Sequence, residues 1–300
     1  MNGYFLIIIA VAAGSGKIKT EVIHQGKHDQ QVAWIDLLGA VDGEMATNAR
    51  EMIKHVDEKK YKALVVHVDS PGGGVTASDV IFHQVLNFRR QKQDNKKRPV
   101  VALMGSVAAS GGYYISSAAD KIVAHPTTTT GSIGVIAYFM GLSGTMEKLG
   151  IKPYVFTSTE ATFKDTPSPF RPMTPQERAY IQAHLDFMHE RFVAAVAEGR
   201  KGILTLDQVR SLADGRIYNA NQALDQKLID QIGYEESAWK LAAKMAGLKN
   251  PRIVRISPYT PFSFKSLMAR GAASAPLINV NLKSLDELGV PRFLYLWRVQ

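Results

Sequence analysis

The stretch GSVAASGGYY, residues 105–114, sets one serine among alanines and glycines, directly after the apolar run VVALM and before ISSAAD. Ala109 and Gly111 leave the Ser110 hydroxyl unshielded, so that another backbone can come close. A strand handing over to a helix at such a serine makes either a tight structural turn or the seat of a nucleophile. A second glycine-rich loop, DSPGGG at 69–74, ends the apolar run ALVVHV. Its plain reading is a turn, with Pro71 fixing one dihedral and the glycines taking positive φ. Its chemical reading is half of an oxyanion hole, in which side-chain-free N–H groups point at a substrate oxygen. Each such donor contributes about 3–4 kcal/mol to a transition state. Both loops follow the carboxyl end of an apolar run, which is where ligands collect in α/β sheets. The two can face one crevice.

A serine nucleophile needs a base. Of eight histidines, none sits where it would complete a triad: His125 in VAHPTT closes a short strand, and His24 and His28 fall in a poorly patterned segment. Lysine is the other option. An ordinary lysine, with a pKa near 10.4, is protonated at neutral pH, and making it a base there takes about 4 kcal/mol of differential environment. Burial among apolar groups can supply that. Many lysines compete, and spacing alone selects none of them.

The elements that must position these groups are legible in outline. QVAWIDLLG (31–39), ALVVHVDS (63–70), PVVALMG (99–105), KIVAH and GVIAYFM read as strands. ATNAREMIKHVDEKK (46–60) reads as an amphipathic helix with Ala49, Ile53 and Val56 on one face, and VTASDVIFHQVLNFRRQ as another. Strands alternating with helices of this length predict an α/β domain with parallel pairing. After residue 150 the pattern changes. Residues 154–173 open like a strand and then become a long loop rich in Pro, Ser and Thr, a kind that is usually functional or disordered. Thr174, Pro175 and Glu177 then form a capping box for a helix with Ile181, Leu185, Met188, Phe192 and Val196 on one stripe. TLDQVRSLAD and ESAWKLAAKMAG predict further helices.

Composition narrows the function classes. With 46% apolar and 21% charged residues, the 300-residue chain can bury a sizeable core, which argues against wholesale disorder. The absence of cysteine excludes disulfides, thiolate zinc sites and a cysteine nucleophile. A formal charge of +9 invites nucleic acid, but the basic runs are interleaved with acids and lack stacking aromatics. Anionic lipid explains the same surplus. YFLIIIAVAAG (4–14) is too short to span a bilayer. It reads as a signal-peptide core, the stump of a longer anchor, or a first strand. GSGKIKT mimics a phosphate loop, yet Val11 and Ile18 stand where that motif requires Gly and Ser or Thr.

Three blocks, DSPGGG, MGSVAASGGYYISSAADKIVAHPTTTTGSIGVI and FKDTPSPFRPMTPQER, together resemble the signal peptide peptidase A family of serine peptidases in its short, single-domain form. The resemblance covers roughly residues 30–250. It implies an α/β, Clp-protease/crotonase-like domain with additional C-terminal helices. On this basis residues 1–29 form an N-terminal apolar segment and linker, 30–256 the peptidase domain and 257–300 a C-terminal extension. Carried across by motif, Ser110 is the nucleophile, Lys164 the general base and Ser132 the hydroxyl that holds the lysine amine. Gly73 and Gly111 are the oxyanion donors. The resemblance further implies hydrolysis of remnant signal peptides and other hydrophobic peptides without metal or cofactor. It also implies a homo-oligomer on the bacterial cytoplasmic membrane, its catalytic domain on the extracytoplasmic face, with the lysine reaching Ser110 across a subunit boundary. Nucleic acid is not among the partners. The alternatives are a crotonase-like acyl-CoA hydratase or isomerase and a non-catalytic membrane scaffold. Ser110 as a plain helix cap, Ser132 as a mere turn residue and Asp165 as a salt-bridge partner that disables Lys164 are the competing local readings.

Overall fold

The computed structural model describes residues 18–93, 96–259 and 293–296. The apolar run at 4–14 and most of the expected extension at 257–300 lie outside the described residues. In chain order, β1 (Ile18–His24) and β2 (Lys27–Leu38) precede α1 (Gly43–Glu58). β3 (Ala63–Ser70) leads into β4 (Gly72–Gly74), and α2 (Val75–Arg90) begins at the next residue. A small hairpin of β5 (Lys92–Gln93) and β6 (Lys96–Lys97) is followed by β7 (Val100–Ala109), α3 (Gly111–Ser116), β8 (Lys121–Ala124) and β9 (Thr129–Gly131). Next come β10 (Ile136–Ala137), α4 (Ser143–Lys148), α5 (Pro175–Gly199), α6 (Leu206–Leu212) and β11 (Ile217–Asn219). The last elements are α7 (Ala220–Asp225), β12 (Gln231–Ile232), α8 (Glu235–Met245), β13 (Pro251–Pro258) and β14 (Phe293–Leu296).

The main sheet has the order β1-β13-β2-β3-β7-β8-β12. Every neighbouring pair from β13 to β12 is parallel, and β1 closes one edge antiparallel to β13. Parallel strands covered on both faces carry near-continuous apolar runs, which is why ALVVHV and VVALM lack alternation. The side chains still divide by parity. Leu64, Val66 and Val68 face the larger core under α1, α2, α3 and α5, whereas Ala63 and Val65 face the core under α8. The α/β class predicted above is therefore present, with α5 to α8 as the additional helices towards the C-terminal side.

Two elements escape a reading by pattern. β1 is an edge strand with mostly exposed side chains, so IKTEVIH carries no apolar signal. β13 pairs in parallel with β2 although about 210 residues of chain separate them, a partnership that local sequence cannot encode. The expected boundaries at 29/30 and 256/257 fall inside β2 and β13, so residues on both sides of each boundary belong to one sheet. GVIAYFM narrows to β10 alone, with Tyr138 and Met140 exposed beyond it. The strand expected at the start of 154–173 does not form, for Tyr154, Val155 and Phe156 stand exposed with no strand beside them among the described residues.

Candidate active site

β7 ends at Ala109, and Ser110 follows with φ 54° and ψ −115°. This is a backbone that glycine adopts freely and other residues adopt only under strain, at a cost of about 1–3 kcal/mol. Two parallel pairings force it. β7 joins β3 along most of its length and β9 at its tip, where Ala109 lies opposite Gly131 and the Ser110 N–H donates to the Gly131 carbonyl at 2.8 Å. The hydroxyls of Thr128 and Thr130 fasten the same segment, donating to the carbonyls of Gly105 and Ala108 at 2.7 and 2.6 Å. The Ser110 side chain makes no capping bond to α3. Its Oγ is buried and without a hydrogen-bond partner among the described residues. A lone buried hydroxyl costs about another 1–3 kcal/mol. The plain helix-cap reading leaves both costs unexplained.

Gly73 and Gly111 meet beside this serine. A Cβ placed on Gly111 would lie 2.5 Å from Ser78 Oγ, 3.1 Å from Gly72 Cα and 3.2 Å from the Gly73 nitrogen. One placed on Gly73 would strike the Val41 carbonyl oxygen at 2.1 Å. Neither position has room for a side chain, and the two loop backbones pack closely beside Ser110. The loop behind them is tied down, for Gly74 N–H donates to the Val41 carbonyl at 2.8 Å and Val41 N–H to that of Gly72 at 2.9 Å. The two glycine-rich loops thus come together beside Ser110.

Ser132 follows Gly131 directly and also has positive φ, 51°. Its N–H donates to the Arg216 carbonyl at 2.8 Å, and the residue is buried next to the tip of β7. Lys164 is placed differently. It lies in the 154–173 loop with its side chain exposed, and the structure does not bring it to the Ser110 hydroxyl within this chain. Asp165, the residue suspected of neutralising it, is engaged elsewhere. Arg171 donates to Asp165 at 2.7 and 3.1 Å and to Glu177 at 2.5 and 2.8 Å. Glu177 also accepts from the Thr166 hydroxyl and from the N–H of Thr174, whose own hydroxyl caps α5. Arg171 holds the Asp165 carboxyl below its ordinary range. Arg171 first, then Thr166 and the Thr174 N–H, do the same for Glu177. This cluster fixes the carboxyl-terminal half of the loop to the start of α5. Sequence reading found the capping box but not its extension to Arg171 and Thr166, whose roles depend on how the loop folds back.

Among the described residues no group of His, Cys, Asp and Glu could hold a metal ion. No helix among them is long and apolar enough to cross a membrane.

A family model described as Peptidase family S49 matches residues 92–249. The chain is 38% identical to a protein of Synechocystis sp. named as a protease, over 224 residues that make up 75% of this chain and 77% of that one. It is 34% identical over 253 residues to a protein of Enterococcus faecium named as signal peptide peptidase SppA, covering 80% and 71%. It is also 31% identical over 245 residues to the chloroplastic serine protease SPPA of Arabidopsis thaliana, covering 80% of this chain and 35% of that one. Among solved structures it is similar to a ClpP1 mutant from Listeria monocytogenes, with TM-score 0.45 and 18% identity over 68% of this chain and 93% of the other.

Proposed function

The chain belongs to peptidase family S49 and is a serine protease, and from that premise we propose that it cleaves hydrophobic peptides, remnant signal peptides among them, with a Ser110–Lys164 dyad. The observation that carries this reading is Ser110, with a strained backbone and a buried hydroxyl that has no partner among the described residues, beside the closely packed backbones of Gly73 and Gly111. Two structural costs concentrated on one side chain are what a nucleophile's seat requires.

The chemistry runs in two stages. Ser110 Oγ attacks the scissile carbonyl carbon while the neutral Lys164 amine takes its proton. The Gly73 and Gly111 N–H groups hold the oxyanion of the tetrahedral intermediate. Collapse breaks the C–N bond, and the lysine returns its proton to the leaving amine. Water, deprotonated by the same amine, then releases the acyl group and restores the hydroxyl. Ser132 positions the amine.

Lys164 reaches Ser110 of a neighbouring copy in this reading. Its loop and the adjoining part of α5 expose Tyr154, Phe156, Phe163 and Phe187, with Phe156 at 92% and Tyr154 at 79%. An apolar surface of this kind supports burial against another subunit or a bilayer. The surplus of positive charge supports a site next to anionic lipid. The test is cleavage of a detergent-solubilised signal peptide by the wild type, Ser110→Ala, Lys164→Ala and a co-assembled mixture of the two variants. Each variant alone is expected to be inactive and the mixture to regain part of the activity, because one subunit then supplies the serine and another the lysine. A fully active Lys164→Ala would overturn the dyad, and an inactive mixture would overturn the reach between subunits.

A further inference from the structure

Ser110 and the Gly72–Gly74 loop follow the ends of two adjoining strands, β7 and β3, and these strands do not stay in step. They pair residue for residue from Leu64 opposite Val100 to Val68 opposite Met104. The next pair is Ser70 opposite Ala108, so β3 advances from 68 to 70 while β7 advances from 104 to 108. The extra length is a bulge at Gly105, Ser106 and Val107, facing Asp69 alone. Because the surplus is an even number of residues, the alternation of faces survives it, and Met104 and Ala108 both enter the larger core. Each residue of slip in this segment would carry Ser110 about 3.3 Å along the strand.

A bulge interrupts the ladder, and its backbone groups must find other partners. The Asp69 side chain supplies one: its Oδ1 accepts from the Val107 N–H at 3.0 Å. The carboxyl also lies against Gly105, where a Cβ would come within 2.8 Å of Asp69 Cβ, Cγ and Oδ2, so a side chain there would displace it. From the neighbouring β9 segment, the Thr128 and Thr130 hydroxyls hold the carbonyls of Gly105 and Ala108. The bulge is thus fastened by its N–H and by its carbonyls, and Ser110 follows shortly after it.

Asp69 also reaches the other half of the site. Its carbonyl accepts from the Gly39 N–H at 2.8 Å, and Val41, just beyond, bridges to Gly73. Next in the chain, the buried Ser70 hydroxyl accepts from the Gly72 N–H at 3.1 Å. The free edge of β4 is closed by β14, antiparallel to it. One residue is therefore bonded both to the strand that leads to Ser110 and to the segment that supports Gly73.

We propose that Asp69 is a positioning residue for the reaction, its carboxylate fixing the β7 bulge through the Val107 N–H so that the Ser110 hydroxyl stands in register with Gly73 and Gly111. This rests on the peptidase reading of Ser110 and goes beyond it by naming what sets the spacing of the two loops. The carboxylate acts as an acceptor at a fixed reach, not as a charge. Asparagine keeps an oxygen in the same place and can stand in for it. Glutamate keeps the charge but is longer by one methylene and cannot. Without the acceptor the bulge relaxes, and a displacement of about 1 Å at a reacting atom costs about 100-fold in rate. The loss falls on kcat, because Asp69 touches the backbone of the scaffold and not the peptide.

The experiment compares the full chain as wild type, Asp69→Asn, Asp69→Glu and Asp69→Ala on a detergent-solubilised signal peptide. A fluorophosphonate probe titrates reactive Ser110, and kcat is taken per labelled site, so that misfolded protein does not count. Asp69→Ala is expected to lose about 100-fold in kcat and Asp69→Glu about tenfold, with KM within about twofold of wild type. Asp69→Asn is expected to keep about a third of the wild-type kcat or more. The rate of probe labelling should follow the same order. If Asp69→Ala does not fold, the order of the other two variants decides. An Asp69→Asn no faster than Asp69→Glu, or a folded Asp69→Ala at the wild-type kcat, would overturn this inference while leaving the peptidase reading intact. A wild type that neither takes up the probe nor cleaves the peptide would overturn the peptidase reading, and this inference with it.

Discussion

The seat of Ser110, the proposed nucleophile, and the arm that bears Lys164 are built on opposite principles. Around Ser110 nearly everything is buried backbone: two parallel pairings at the tip of β7, two threonine hydroxyls on its carbonyls, and glycines packed too closely for any side chain. The 154–173 arm is exposed, short of regular structure, and anchored through one charged cluster on Arg171. The first region is preorganised by sheet geometry and cannot relax without unpicking the core. The second owes its shape to a few side chains at the surface, where each ion pair contributes little by itself. In the proposed dyad, this division fixes the geometry of attack within one chain and leaves delivery of the base to contacts that form outside it.

That contrast breaks most visibly at residue 110. Ser110→Gly is expected to abolish turnover, by about 10,000-fold or more, and yet to raise stability. Glycine relieves the positive φ and removes the unpaired hydroxyl. Those gains outweigh the roughly 1 kcal/mol of extra chain entropy that glycine brings, leaving about 1 kcal/mol and a rise in Tm of about 2 °C by calorimetry. A drop in Tm would mean that Ser110 serves the fold. Gly73→Ala comes next. Its methyl group meets the Val41 carbonyl at 2.1 Å and must push the loop aside. It should lower kcat by about 100- to 1,000-fold together with a measurable loss of stability to urea, the double signature of a donor held by the core.

Arg171→Ala sharpens the other side. Removing the shared partner of Asp165 and Glu177 should cut activity by about tenfold and open the 154–173 loop to proteolysis, with little change in Tm. Acid gives the smallest effect. Asp165 and Glu177 have folded-state pKa values below their unfolded ones, so their contribution is complete above about pH 4 and is lost as pH falls through the depressed values. Protease cutting in the loop should therefore increase below about pH 4 in the wild type, and Arg171→Ala should flatten that step.

The sequence-based expectations separate along the same line. β3 was legible to the residue, and α1, α2 and α5 nearly so, because apolar runs, helical periodicity and a capping box are local signals. The glycine loops at 72–74 and 111–112 announced themselves by composition, and their meeting followed from two neighbouring strand ends. The strand at 18–24 and the pairing of β13 with β2 left no trace, since an exposed edge has no pattern and a remote partner none that is local. Nor did spacing single out Lys164 among the lysines. Only the resemblance of FKDTPSPFRPM to known peptidases pointed there, because an exposed lysine in an irregular loop has no local pattern to mark it. The clasp of Asp69 on Val107 was equally hidden, because the bulge it holds exists only once β3 and β7 pair.

Because β14 and β4 belong to one polypeptide, diluting the sample cannot part them. Tethering holds such a segment at an effective concentration on the order of millimolar. A reversible ligand that displaces it loses apparent strength by the same ratio at every protein concentration. If Ser110 reacts as proposed, a ligand that bonds covalently to it needs only the moments when the strand lifts away from Gly72–Gly74, so slow acylating agents should outperform tight, fast-exchanging ones.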